Sequence, residues 1–204
     1  IMAFMKRFIT PRRKRLLTWL LTLALVCCAV PCAEATNVGD SLSVGIQSTK
    51  TSAIQPLFPL ERDMMSIYEL VYEGLVAIDD DYLPTPALAE SWEMSNGGKT
   101  WTFTLRDNVS FSDGTPLTAN DVVATAQYIL NRATDQYVDD KGYYRNLQYF
   151  INSISSKGDR TVVVKTSRPY WGMLYAMTFP VLPADRVSDD NPPGTGPYVI
   201  QSFS

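Results

Sequence analysis

The chain has 204 residues, with 18 Lys and Arg against 21 Asp and Glu, three cysteines and no histidine, and its net charge is −3. Because histidine is absent, a Ser-His-Asp triad, a Cys-His pair and a histidine-bound zinc ion are excluded within this sequence. The negative charge also argues against nucleic acid and anionic membranes as partners, since both favour a basic protein surface.

The first 35 residues have the layout of a secretory signal peptide. A basic block within residues 6–15 precedes an apolar run over residues 16–30, and small residues follow up to Ala35. The apolar run has fifteen residues, fewer than the about 20 that a membrane-spanning helix needs. We therefore predict cleavage between Ala35 and Thr36 and export to the periplasm or cell envelope. A retained anchor and a lipoprotein are the less favoured alternatives.

Removal of this segment changes the composition of the rest of the chain. All three cysteines lie within it, so the mature chain would have no disulfide, thiol nucleophile or thiolate metal site. The remaining 169 residues hold 12 basic and 20 acidic side chains, a net charge of −8. A chain of this length is sufficient for one domain or two small ones.

The first part of the mature chain alternates strand and helix patterns. Residues 41–47 alternate apolar and polar side chains and predict a strand. Apolar residues at helical spacing from Met64 onward predict a helix that ends near Gly74. The following "DDDYLPTP" is interpreted as a polar turn, because three adjacent acidic side chains cannot all point at one ion. Residues 92–105 then predict a hairpin that turns at "NGG" and buries its tryptophans and phenylalanine.

The stretch "FSDGTPLTANDVV", residues 111–123, admits two interpretations. Asp113 and Asp121 could form the carboxylate pair of a secreted hydrolase. Alternatively, the end of a strand at Phe111 leads into a turn at Asp113, and Thr118 caps a helix with Asp121 three positions later. The second pattern is a capping box with Asp in place of Glu, and it predicts a helix to about Ala133.

The remaining sequence predicts shorter elements. Residues 137–150 are polar and rich in tyrosine, which indicates a loop and a short helix. Residues 151–166 predict a second hairpin with its turn at Gly158 and Asp159. Residues 168–183 are aromatic and methionine-rich and predict a helix or loop, and "GTGPYVIQSF" begins as a strand.

Four stretches together resemble the extracytoplasmic solute-binding proteins of peptide and nickel ABC importers, the family 5 group. They are "YELVYEGLVAID", "LPTPALAESWEMSNGGKTWTFTLRDNVSFSDGTPLTANDVVATAQYIL", "ISSKGDRTVVVKTSRP" and "GTGPYVIQSF". The resemblance covers nearly all of residues 38–204. It implies a mixed α/β (α+β) fold, namely a periplasmic-binding-protein-like lobe of type II with an inserted satellite subdomain.

The resemblance also implies a domain organisation in which this chain holds only the front of the family pattern. Residues 36–55 would begin the main sheet of lobe I, residues 56–181 would form the satellite subdomain, and residues 182–204 would return to the main sheet. Lobe II would be missing, together with the acidic residue that usually binds a peptide's amine. The chain is therefore expected to be a fragment.

The implied function is capture of di- or oligopeptides outside the membrane and delivery to the permease of an ABC importer. By the same resemblance the protein would be a monomer, would need no cofactor and would catalyse no reaction. Nickel or another small solute is the first alternative, although an arginine that binds anionic ligands in some nickel-binding relatives has no clear counterpart here. A secreted hydrolase and a chaperone or adhesion protein are the other classes.

The family's ligand-binding positions in this part of the pattern fall on seven aromatic or methionine residues: Phe58, Met64, Tyr143, Tyr144, Tyr175, Met177 and Phe179. Aromatic and methionine side chains also dominate hydrophobic cores, so packing is the competing interpretation at every one of these positions.

Overall fold

The structure is a computed structural model that describes residues 44–45, 55–58, 62–136 and 142–201. Residues 1–45 and 46–204 form separate units. Only Val44 and Gly45 of the first unit are described, and the fold below is that of the second unit. The predicted signal peptide, with its cleavage site between Ala35 and Thr36, lies outside the described residues, as does most of the strand predicted over 41–47.

The described part of the second unit is mixed α/β. Its α-helices and strands, in chain order, are α1 (Arg62–Val71), β1 (Val76–Ile78), β2 (Pro84–Pro86), β3 (Ala89–Ser95), β4 (Thr100–Leu105), α2 (Ala119–Thr134), β5 (Ile151–Lys157), β6 (Thr161–Thr166) and α3 (Met173–Ala176). Two 3-10 helices cover Asn96–Gly98 and Arg145–Tyr149, and the second is the short helix predicted within residues 137–150.

Four strands form an antiparallel sheet in the order β3-β4-β6-β5. The inner strand β4 alternates as its sequence predicts, with Trp101, Phe103 and Leu105 buried and the threonines between them partly exposed. Phe103 lies opposite Trp92 on β3 and opposite Val162 on β6. Helix α2 packs against β5 and β6, so the sheet's core lies between the strands and this helix.

Both predicted hairpins are confirmed. The turn between β3 and β4 places Gly97 at φ 60° and Gly98 at φ 85°, in the left-handed region that glycine adopts without a Cβ clash. The turn between β5 and β6 includes Gly158 at φ 66°. The helix predicted from Thr118 is confirmed as α2, which ends at Thr134, one residue beyond the predicted end.

The prediction for residues 64–78 is partly wrong. Helix α1 ends at Val71, three residues before the expected end at Gly74. The chain then forms β1, which pairs antiparallel with β2 in a two-stranded sheet that the sequence did not predict. A Cβ at Gly74 would approach the backbone of Thr178 to 2.8 Å, so the two backbones pass each other at a distance that leaves no room for a side chain at position 74.

The strand predicted at "GTGPYVIQSF" is also wrong over its described part, because residues 194–201 contain no strand. Instead, the amide of Gly196 donates to the carbonyl of Val71 (2.9 Å) and that of Tyr198 donates to Leu70 (3.2 Å). These carbonyls belong to the last turn of α1, where a carbonyl finds no amide within the helix to accept from. The segment therefore caps the C-terminus of α1. The strand end predicted at Phe111 is replaced by an isolated bridge between Ser110 and Pro116.

Candidate functional site

Asp113, the first carboxylate of the candidate hydrolase pair, closes an exposed turn. Its Oδ1 accepts hydrogen bonds from the amide (3.0 Å) and hydroxyl (2.6 Å) of Thr115. Its Oδ2 accepts from the guanidinium of Arg186 at 3.1 Å. The Thr115 hydrogen bonds, followed by the charge of Arg186, hold the pKa of Asp113 below its usual value.

Asp121, the second carboxylate, forms the predicted capping box at the start of α2. Its Oδ2 accepts from the amide (2.8 Å) and hydroxyl (2.7 Å) of Thr118. Its Oδ1 accepts from the amide of Ala184 at 2.9 Å, a contact that the sequence did not predict. All four carboxylate oxygens of Asp113 and Asp121 thus accept hydrogen bonds from the protein, which favours the structural interpretation of this stretch over acid–base chemistry.

The acidic turn after β1 is shaped by its first carboxylate. Asp79 Oδ1 accepts from the amides of Asp81 (3.0 Å) and Leu83 (2.8 Å). Over the described ranges, no three Asp, Glu, His or Cys side chains are grouped so that they could hold a metal ion. In those same ranges no helix combines the length and apolar character that crossing a membrane requires.

Four of the seven predicted ligand-binding residues lie in one group, called here the aromatic cluster: Phe58, Tyr143, Tyr144 and Phe179. Tyr144 contacts Tyr143 edge-to-face with ring centroids 5.0 Å apart, and it contacts Phe179 in the same manner at 6.4 Å. Phe58 lies against Gly142, the residue before Tyr143. A Cβ built at Gly142 would overlap the Phe58 ring. Only glycine allows this approach, at a φ of 79°.

The loop that carries Phe58 is positioned by a glutamine. The side-chain amide of Gln55 donates to the carbonyls of Val187 (3.1 Å) and Asp189 (2.9 Å). The Phe58 amide in turn donates to the carbonyl of Gln55 at 3.2 Å. Phe58 is therefore anchored to the segment that also carries Arg186, the ion-pair partner of Asp113.

Helix α2 adds two residues that sequence reasoning missed. Tyr128 contacts Phe58 edge-to-face at 5.8 Å, and the guanidinium carbon of Arg132 lies 4.2 Å from the centre of the Phe58 ring. This distance is typical of a cation–π interaction. The four-residue spacing of Tyr128 and Arg132 places them on one face of the helix, which is the signal that could have identified them.

Burial raises the pKa of one member of the cluster, Tyr144. Desolvation, and then the neighbouring Tyr143 and Glu69, raise the pKa of Tyr144 well above its ordinary value. The Tyr144 hydroxyl is neutral at physiological pH, as that of an unshifted tyrosine would be, and can donate a hydrogen bond. Tyr143 is 64% exposed, so this ring presents the cluster to solvent.

The other predicted residues lie elsewhere. Met64 and Met177 are buried in the hydrophobic core, and Phe179 is also fully buried although it belongs to the cluster. Tyr175 is exposed, and its hydroxyl donates to the carbonyl of Tyr82 at 3.0 Å. Among the described residues, no ring contact joins Tyr175 to the aromatic cluster.

Comparisons with known proteins agree with this fold. The model of the bacterial extracellular solute-binding proteins, family 5 Middle, matches residues 84–204. Protein XP55 of Streptomyces lividans is 32% identical over 179 residues, which are 83% of this chain and 31% of XP55. The dipeptide-binding protein DppE of Bacillus subtilis is 30% identical over 155 residues, 65% of this chain and 28% of DppE.

A solved structure gives the same result in three dimensions. NikZ from Campylobacter jejuni, in complex with Ni(L-His), aligns with a TM-score of 0.63 and 25% identity over 76% of this chain and 32% of NikZ. The chain thus spans about a third of the length of the proteins it matches. The predicted periplasmic-binding-protein-like fold is confirmed, and the chain belongs to the bacterial extracellular solute-binding proteins of family 5.

Proposed function

We propose that this chain serves in the solute-binding component of an ABC importer, which captures di- or oligopeptides outside the membrane and delivers them to the permease. The observation that carries the proposal is the aromatic cluster of this family 5 chain. Its exposed Tyr143 contacts Tyr144, and Tyr144 contacts Phe179. Apolar walls with a few polar groups are typical of small-molecule sites. The similarity to the dipeptide-binding protein DppE supports a peptide ligand.

The cluster would contact the ligand with both apolar and polar groups. The rings of Phe58 and Tyr143 would cover apolar side chains of a peptide, and the neutral Tyr144 hydroxyl would donate to a peptide carbonyl. Closure of a second lobe over the site would then exclude water. Such a site binds and releases its ligand without covalent chemistry, so we propose no enzymatic activity.

The proposed domain organisation assigns residues 36–55 and 182–204 to the main part of lobe I and residues 56–181 to a satellite subdomain. The four-stranded sheet and α2 fall entirely within residues 56–181, which supports this division. Residues 182–184 nevertheless hydrogen-bond to α2 through Thr125 and Asp121. The return segment would therefore be fixed directly on the subdomain. For the N-terminal region we propose export and cleavage between Ala35 and Thr36.

Nickel, bound together with a small organic ligand, is the second candidate. The likeness to NikZ in complex with Ni(L-His) favours it. The polypeptide would then recognise the organic ligand through the same aromatic cluster, and the metal would be part of the cargo.

Thermal unfolding of the full-length gene product with a ligand panel tests the proposal. The panel contains dipeptides, tetrapeptides, free amino acids, maltotriose, and Ni²⁺ with and without L-histidine. A ligand that binds only the folded state raises Tm, by an amount equivalent to about 2.7 kcal/mol at a concentration of 100 times Kd. We expect peptides to raise Tm. A shift with nickel–histidine alone would favour the second candidate, and no shift with any peptide would contradict peptide capture.

A further inference from the structure

The turn between β3 and β4 contains an asparagine that is followed by glycine. Asn96 is the only asparagine of the 204-residue sequence that has a glycine directly after it. In such a pair the asparagine side chain can react with the backbone amide of the next residue, because glycine has no Cβ that hinders the approach. Asparagine is accordingly one of the thermolabile residue types. Whether the pair reacts in a folded protein depends on the structure around it.

The structure leaves both reacting groups of this turn accessible. Asn96 is exposed and has a φ of 51°, and within the described ranges its side-chain amide forms no hydrogen bond. No other described residue lies within 4 Å of a Cβ built at Gly97. A 3-10 helix pairs each amide with the carbonyl three residues earlier, which for Gly97 is that of Met94 in β3, before the helix begins. The Gly97 amide therefore has no partner within its helix.

Asn108 provides a comparison within the same molecule. It is exposed and has a φ of 58°, so it shares two features with Asn96. The next residue, however, is Val109, whose β-branched side chain crowds the amide that would have to react. The residue that follows separates these two asparagines, and it favours reaction at Asn96.

Asp113 and Gly114 form a related pair in which the structure blocks the same chemistry. The Gly114 amide donates to the carbonyl of Phe111 at 2.9 Å, so the attacking nitrogen is engaged. Both carboxylate oxygens of Asp113 accept hydrogen bonds, one from Thr115 and the other from Arg186. The exposed turns at Asn96 and Asp113 therefore differ in how firmly the reacting groups are held.

Further parts of a longer protein could cover the turn, because the chain spans about a third of the length of the proteins it matches. The composition of the turn argues against this. Residues 95–100, "SNGGKT", contain no large apolar side chain, and Lys99 is exposed. The buried centres of protein interfaces are depleted of lysine and serine. We therefore expect this turn to stay in contact with water in the full-length protein.

We propose that Asn96 is a site of spontaneous deamidation in the folded protein, an inference that is independent of the function proposed above. The nitrogen of Gly97 forms a bond with Cγ of Asn96, the bond from Cγ to Nδ2 breaks, and ammonia leaves with the Gly97 amide proton. Water then opens the cyclic imide. Cleavage between Cγ and the nitrogen gives aspartate, and cleavage between the main-chain carbonyl carbon and the nitrogen gives isoaspartate.

Each product changes the turn in a defined way. Both add a negative charge at position 96. Isoaspartate also routes the main chain through Cγ and converts the Asn96 carbonyl into a free carboxylate. In the unreacted protein that carbonyl accepts from the Lys99 amide at 3.3 Å, which closes the turn. The modification therefore acts on the connection between two strands of the sheet.

The test incubates the folded full-length protein in mildly alkaline buffer and follows each asparagine by peptide mapping and mass spectrometry. Chromatography against synthetic peptides separates aspartate from isoaspartate at position 96. The comparison of Asn96 with Asn108 is made within the wild-type protein, so it does not depend on the folding of a variant. Gly97→Ala is the matched variant, because it places a Cβ beside the reacting amide.

We expect Asn96 to lose ammonia several-fold faster than Asn108, with isoaspartate among the products, and Gly97→Ala to slow the loss several-fold. We also expect no isoaspartate at Asp113 over the same period. Equal rates at Asn96 and Asn108 would overturn the inference. Conversion of Asn96 only after unfolding in urea would also overturn it, since the folded protein would then protect the turn.

Discussion

The hydroxyl of Thr125, in the middle of α2, lies 3.1 Å from both the amide nitrogen and the carbonyl oxygen of Leu182. Both residues are fully buried. One turn earlier on the same helix, the carboxylate of Asp121 accepts from the amide of Ala184. The side chains of α2 therefore fix the position of a segment about sixty residues away in sequence.

Replacing Thr125 by valine preserves the shape of the side chain and removes the hydroxyl. The amide of Leu182 then stays buried without a partner, which should lower the free energy of unfolding by about 1–3 kcal/mol. Urea unfolding of the full-length protein measures the change. Thr125→Ser is the control, because it retains the hydroxyl and should lose less stability. Equal stability of the valine variant and the wild type would contradict the role given to this hydrogen bond.

Asp121→Ala removes the capping carboxylate of α2 and the acceptor for the Ala184 amide. Loss of a helix cap typically lowers stability by about 1 kcal/mol, and the second lost contact should add to it. We expect a lower midpoint in urea unfolding and an unchanged peptide Kd at temperatures where the variant is folded. A variant with unchanged stability and abolished ligand binding or catalysis would instead indicate that Asp121 acts chemically.

Asp113 should make a pH-dependent contribution to stability. Its pKa in the folded state lies below the ordinary value of 3.8, chiefly because Thr115 donates two hydrogen bonds to it. A lowered pKa means that the stabilisation is present at pH values above the pKa of the unfolded state. It is lost as pH falls through the pKa of the folded state. The stability difference between wild type and Asp113→Asn should therefore be largest near neutral pH and shrink in acid.

The origin of the Asp113 shift can be measured directly. Carboxyl titration by NMR should show a higher pKa for Asp113 in Thr115→Ala than in the wild type, because the hydroxyl is the first cause of the shift. Arg186→Gln should also raise the pKa of Asp113, because it removes the neighbouring positive charge. An unchanged pKa of Asp113 in Thr115→Ala would contradict the hydroxyl as a cause of the shift.

Gly142 should be intolerant of substitution. An alanine there must adopt a φ of 79°, and its Cβ would overlap the ring of Phe58. Gly114→Ala is the matched control, since Gly114 has a φ of 87° but nothing lies within 4 Å of its added Cβ. Both variants bear backbone strain of about 1 kcal/mol or more. Only Gly142→Ala should also displace Phe58 and weaken peptide binding; equal behaviour of the two variants would contradict the contact.

The sequence predicted the elements whose signals are local. Thr118 and Asp121 lie three positions apart, so the start of α2 could be recognised from composition and spacing. The boundary of α1 could not be predicted in this way, because the helix ends at Val71 and the chain then passes, at Gly74, close to the backbone of Thr178, about a hundred residues away. The periodicity of residues 64–78 contains no information on that approach.

The site was predicted less completely for the same reason. The resemblance named Phe58, Tyr144 and Phe179 one by one and did not predict which residues meet. In the structure Tyr144 contacts Phe179, and Arg132 lies over the Phe58 ring through the packing of α2 on the Phe58 loop. Tyr175 sits in the same aromatic segment as Phe179, yet its hydroxyl bonds to Tyr82. Aromatic composition identified the segment, whereas the direction of each side chain depended on the tertiary fold.

Calorimetric titration of a peptide into wild-type protein, Tyr143→Ala and Tyr149→Ala tests most directly whether the aromatic cluster binds the ligand. The two tyrosines are similarly exposed, at 64% and 67%, and only Tyr143 belongs to the cluster. Neither substitution should alter the fold, since surface changes are usually within about 0.5 kcal/mol. We predict that Tyr143→Ala weakens the peptide Kd by about tenfold while Tyr149→Ala binds like the wild type. Wild-type affinity in Tyr143→Ala would contradict a ligand site at this cluster.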